Sequence, residues 1–68
     1  MILIENNRIK EIRLEKGISL SDLASKSGVS AGYICHLENG SRKNPSVVIM
    51  KKIAHALGKN IIEVFNIE

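Results

Sequence analysis

The stretch Ser19–Gly40, SLSDLASKSGVSAGYICHLENG, constrains the fold more than any other part of the chain. Leu20, Leu23 and Ala24 stand at i, i+3, i+4, the spacing of one helix face, and Ile34 and Leu37 stand at i, i+3 beyond a Ser-Gly-Val-Ser corner. Ser19 and Ser30 stand where a hydroxyl accepts the free N–H groups of a helix start, and Asp22 follows Ser19 at capping-box distance. Gly28 supplies the positive φ that the corner requires, and Val29 is placed to plug the gap between two helices. Two short capped helices around such a corner are the sequence form of a helix-turn-helix. The expected spans are 20–27 and 31–38, with Asn39-Gly40 closing the second.

The flanks complete an all-α pattern. Asn6 or Asn7 caps a first helix running to about Lys16, with Ile9 and Ile12 inward and Gly17 following as its C′ residue. Ser41–Pro45 (SRKNP) is a basic loop whose Asn44 is held extended by the proline. Ser46 then caps a fourth helix, Val47 to about Leu57, with Val47, Met50, Ile53, Ala54 and Leu57 as its inward set. Asn60 with Glu63 at N3 opens a short fifth helix, Ile61 to Phe65. The strand-like Met1–Ile4 is expected to pair with the tail Asn66–Glu68. The reading is a five-helix bundle forming a single domain, 1–68, without repeats or linkers.

Composition narrows what such a bundle does. A chain of 68 residues buries only about 60% of its unfolded surface, and with 3% aromatic residues its core must be aliphatic. Cys35 is the only cysteine, so no internal disulfide forms, which fits a reducing compartment. Met1–Ile4 is too short for a signal peptide or a membrane span, and the expected location is the cytoplasm. The net charge of +3 points to an anionic partner, and its distribution sharpens the point. Residues 1–40 are balanced, whereas 41–59 carry Arg42, Lys43, Lys51, Lys52 and Lys59 with no acid.

Catalysis, metal and cofactor readings find little support. No nucleophile–base pair or carboxylate pair stands in a plausible pocket, so an enzyme is not expected. Cys35, His36 and His55 lack the spacing of a metal set, because adjacent helical residues diverge by about 100°. Oxidised Cys35 would need an intermolecular partner. No cofactor and no small-molecule ligand are expected.

The second motif helix has an unusual outer face. Ile34 and Leu37 set its inward direction, which leaves Ala31, Gly32, Cys35 and His36 outside, Tyr33 at one edge and Glu38 toward the core. A solvated helix normally fills that face with Lys, Glu, Gln or Arg. Gly32 costs about 1 kcal/mol relative to alanine, and close approach of another surface is one reason to accept it. Drift of a small surface patch is the plainer alternative.

The run from Ile9 to Phe65 resembles the phage repressor and Cro family of helix-turn-helix proteins, often called XRE-type. The resemblance rests on Arg13 in the first helix, then GIS, SDLA, KSGVS, GYI and LENG, then NPS, IAHALG and a closing EVF. It implies the lambda-repressor-like bundle, with residues 31–38 as a recognition helix entering the major groove of double-stranded DNA. Carried over by position, Ala31, Gly32 and His36 fall where the family reads base edges, with Cys35 on the same face. Ser19, Ser30, Asn39, Arg42 and Lys43 fall where it touches phosphates, and Tyr33 offers its hydroxyl there or simply packs. Arg13 and Glu38 are expected to form a structural salt bridge. Lys51 and Lys52 are read as solubilising.

One departure stands out: where the family commonly has a glutamine second in the first motif helix, this chain has Leu20. That backbone contact is then missing, and phosphate contacts and DNA shape are expected to carry much of the affinity. Ile2, Ile4, Val48, Ile49, Ile61, Ile62 and Ile67 exceed what a lone bundle is expected to cover. They suggest a homodimer through the last two helices, with Ile61 and Ile62 at its interface, unless the two termini cover them. The resulting expectation is a sequence-specific transcriptional regulator, a dimeric repressor on a palindromic operator. The alternatives are an interaction adaptor or anti-regulator on the same fold, or a restriction-modification controller or antitoxin.

Overall fold

Residues 7–66 are described by the structure, a computed structural model, and they form α1 (Ile9–Glu15), α2 (Leu20–Ser27), α3 (Ala31–Glu38), α4 (Val47–Ala56) and α5 (Ile61–Phe65). The helix starts follow the caps. Ser19 Oγ accepts Asp22 N–H at 3.0 Å while the Asp22 carboxylate accepts Ser19 N–H, closing a capping box. Ser30 and Ser46 accept from Tyr33 and Ile49, and Asn60 with Glu63 closes a second box at α5. Each such cap is worth about 1 kcal/mol, a useful share for helices of two turns.

α1 begins differently from the expectation. Its N-cap is Arg8, whose side chain makes no cap bond, while Asn7 Oδ1 accepts the Ile9 N–H from one residue further out at 3.2 Å. The Asn7 amide is thereby left to reach elsewhere.

The helices surround one aliphatic core built from Ile9, Ile12, Leu23, Val29, Ile34, Leu37, Met50, Ile53, Leu57, Val64 and Phe65. α2 packs on both α3 and α4, α4 packs on α5, and α5 returns to α1, where Arg8 N–H donates to Val64 C=O at 2.7 Å. The single phenylalanine is fully enclosed among these side chains. Burying a side chain of this size contributes about 2–3 kcal/mol, so the short α5 is secured by packing rather than by length.

Two expectations about coverage change. Val47 is 46% exposed, because the chain enters α4 through buried Pro45 and the inward stripe starts only at Met50. Ile49 and Ile61, expected to be left uncovered, are half-buried against the core. Val48 and Ile62 do stay open, at 61% and 60%, and Leu14, which attracted no attention in the sequence, joins them. Ile2, Ile4 and Ile67, and the proposed pairing of Met1–Ile4 with the tail, lie outside the described residues.

Candidate nucleic-acid interface

The corner between α2 and α3 is closed by three adjacent residues. Gly28 takes φ 74°, a left-handed conformation that any side chain would strain. Ser27, itself buried, accepts the Val29 N–H at 3.2 Å and donates to Ala24 C=O at 3.5 Å. Val29 then turns inward at 5% exposure and fills the space between the helices. The role of Ser27 escaped the sequence reading. A serine directly before a left-handed glycine is the available signal, since its hydroxyl can serve the turn that follows.

α3 turns Ile34 and Leu37 into the core and holds Gly32, Cys35 and His36 to solvent, with Ala31 half-buried beside them. A Cβ built on Gly32 would meet no atom within 4 Å. The fold itself therefore has no steric need for this glycine.

The far end of α3 is tied down by one side chain from α1 and one from just before it. Arg13 Nε donates to Glu38 Oε2 at 2.8 Å and Arg13 Nη2 to Glu38 Oε1 at 3.3 Å, while Nη1 donates to Ile18 C=O at 2.9 Å. The two side chains are only 10% and 7% exposed. The hydrogen bond to Glu38 outweighs the cost of burial and holds the Arg13 guanidinium above its ordinary pKa. Arg13 thus joins α1, the turn into α2 and the end of α3 in one grip. A second tie was missed from sequence: Asn7 Nδ2 donates to Leu37 C=O at 2.9 Å. It meets a carbonyl in the last turn, where helix acceptors lack internal partners.

Beyond α3 the chain folds back over it. Arg42 N–H donates to His36 C=O at 3.1 Å, and Ser41 N–H donates to the Asn39 side-chain oxygen at 2.9 Å. The Arg42 guanidinium lies 5.6 Å from the centre of the half-buried Tyr33 ring, within cation–π range. Arg42 therefore sits against α3, with exposed Lys43 next to it in the chain. Ser19 and Ser30 each spend the oxygen on a cap and keep the hydroxyl hydrogen to give away. Leu20, the departure from the family pattern, is half-buried against the core, so that position serves packing here.

Among the described residues no cluster of three or more His, Cys, Asp or Glu side chains is placed to hold a metal, and no helix is long and apolar enough to cross a membrane.

The comparisons with known proteins agree with this geometry. A helix-turn-helix family model matches residues 9–64. The HTH-type transcriptional regulator SinR of Bacillus licheniformis is 39% identical over 59 residues, covering 87% of this chain and 53% of that protein. SinR of Bacillus subtilis (strain 168) is 41% identical over 54 residues, covering 79% of this chain and 49% of its own length. The chain thus spans about half the length of these relatives. A crystal structure described as the master regulator for biofilm formation SinR in complex with DNA superposes with a TM-score of 0.76 at 41% identity, over 79% of this chain and 86% of that one. With its five helices, its glycine corner and this match across nearly every described residue, the chain belongs to the Cro/repressor-like, XRE-type helix-turn-helix family.

Proposed function

We propose that this chain is a sequence-specific double-stranded DNA-binding regulator of transcription that reads the major groove with α3. The observation that carries the reading is the outer face of α3, small and open at Gly32 yet held rigidly at its far end by Arg13 and Asn7. Ala31, Gly32 and Cys35 let the helix backbone approach the base edges closely. His36 supplies the side-chain hydrogen bond, donating to guanine N7 or O6. The hydroxyls of Ser19, Ser30 and Tyr33, the Asn39 amide and the cations Arg42 and Lys43 hold the flanking phosphates. Such contacts set register and most of the salt-sensitive affinity.

Residues 7–66 act as one binding unit in this reading, working in the cytoplasm as one half of a dimeric repressor. Ile62 supports the dimer as an exposed apolar side chain on α5, with Ile61 behind it anchoring the helix to its own core. A two-fold pair spaces the reading helices by about 34 Å, one turn of DNA, and so selects an inverted repeat.

Selection of bound sequences from a random duplex pool, followed by binding across a salt series, tests the proposal. An enriched inverted repeat whose affinity falls steeply with salt is expected. Binding that ignores salt, or that never exceeds random-sequence affinity, overturns it.

A further inference from the structure

α4 carries a face that the DNA reading leaves unused. Val47, Lys51 and His55 are spaced four apart and form one ridge of the helix, and Val48 with Lys52 begins the next. All five side chains are exposed. Beside the first ridge runs a groove of about 350 Å³ between α4 and the start of α5, lined by Lys51, Ala54, His55, Lys59, Asn60 and Ile61. Ala54 and Ile61 give it an apolar floor. Lys59 spends part of its charge on Glu63 at 3.9 Å, and Asn60 is committed to capping α5. Among the described residues the side chains of Lys51, Lys52 and His55 have no hydrogen-bond or ion-pair partner.

We propose that this ridge and groove dock an acidic, amphipathic segment of a protein partner. Charge complementarity selects the occupant, since no Asp or Glu occurs between residues 41 and 59. Carboxylates one helical turn apart on the partner meet Lys51 and His55, and apolar side chains beside them cover Val47 and Val48 and enter the groove over Ala54 and Ile61. A DNA backbone satisfies the lysines but offers nothing to the two valines. A second copy of this chain docked face to face sets Lys51 and Lys52 against themselves, a like-charge contact that costs affinity. Ile62, to which the proposed dimer contact is assigned, is not among the residues lining this groove.

A short synthetic helical peptide with glutamates four residues apart beside a leucine stripe is the probe, titrated into the isotope-labelled chain by residue-resolved NMR. Saturable changes confined to residues 47–61 are expected. They should weaken about tenfold with Lys51→Glu and persist with Arg42→Glu. The same peptide with glutamine for glutamate should bind at least tenfold more weakly. Changes spread equally over Arg42 and Lys43, equal binding of the glutamine peptide, or no saturation would each overturn the proposal. So would displacement by random-sequence duplex together with a matching loss of DNA affinity in Lys51→Glu, which assigns the face to DNA. Conversion of a dimer to a monomer by Lys51→Glu assigns it to a second copy and overturns the proposal equally.

Discussion

α3 and α4 bury the same kind of aliphatic stripe but turn opposite surfaces outward. On α3 the outer face is Ala31, Gly32, Cys35 and His36, with no long side chain. On α4 it is Val47, Val48, Lys51, Lys52 and His55. The way each helix is held differs in the same sense. α4 is a ten-residue helix secured by Met50, Ile53, Ala54 and Leu57, whereas α3 buries only Ile34 and Leu37 and gains two polar ties at its C-terminal end. On the proposed reading, α3 presents its backbone to DNA and for that gives up long outward side chains. Its position then depends on directional bonds, because two apolar residues define a contact but leave rotation about the helix axis weakly specified.

That comparison breaks most readily at Arg13 and Glu38. Glu38→Ala leaves a buried guanidinium without its carboxylate, and a loss of about 3–5 kcal/mol is expected in urea unfolding. Lys52→Ala on the open face of α4 should stay within about 0.5 kcal/mol of the parent. An equal, small effect of both substitutions would remove the claim that α3 is held by its ion pair.

His36→Ala should leave thermal stability unchanged and reduce affinity for the selected operator by about 1–3 kcal/mol, with relaxed preference at a single base pair. Unaltered preference at every position would reduce His36 to a plain surface residue. Gly32→Ala separates stability from function by sign. Helix propensity favours alanine by about 1 kcal/mol and a Cβ meets nothing within 4 Å, so the variant should unfold at higher denaturant. Its added methyl should nonetheless lower DNA affinity by intruding between helix and groove. Stability and affinity rising together would show that the small face of α3 is not needed for close approach.

The smallest effect is expected at the solvent-facing pair Arg8–Glu11, whose side chains are 40% and 55% exposed. The Arg8 hydrogen bond holds the Glu11 carboxyl below its ordinary value of 4.5. Its contribution is therefore present above about pH 4.5 and lost as the pH falls through the lowered folded value. The difference in melting temperature between the parent and Glu11→Gln should shrink from neutral pH toward pH 3, a trend that thermal unfolding at several pH values would reveal. A constant difference would show that the pair contributes nothing through charge.

Much of this was legible in the residue order. Serine caps, capping boxes and apolar spacing are local, so the spans of α2, α3 and α5 and the outward set on α3 follow from residues within one or two turns of each other. The ties that orient α3 were less accessible. Asn7 reads as a helix cap, and only the approach of α1 to the end of α3, 30 positions along the chain, reveals that its amide reaches Leu37 C=O. Ser27 reads as a helix-surface serine until the turn of Gly28 brings the Val29 N–H onto its hydroxyl.

By itself the sequence determined five helices, a glycine corner, a small outward face on α3 and a basic surplus that begins just after it. Each depends on short-range sterics and hydrogen bonding, which neighbouring residues settle. The tertiary structure decided which apolar residues stay exposed, uncovering Val47 and Leu14 while drawing Ile49 and Ile61 inward. It also decided how α3 is gripped, and that a groove opens beside the ridge of α4. These outcomes depend on which elements lie against one another. The burial of an isoleucine or the partner of an asparagine is set by packing between distant segments, which helical periodicity does not encode.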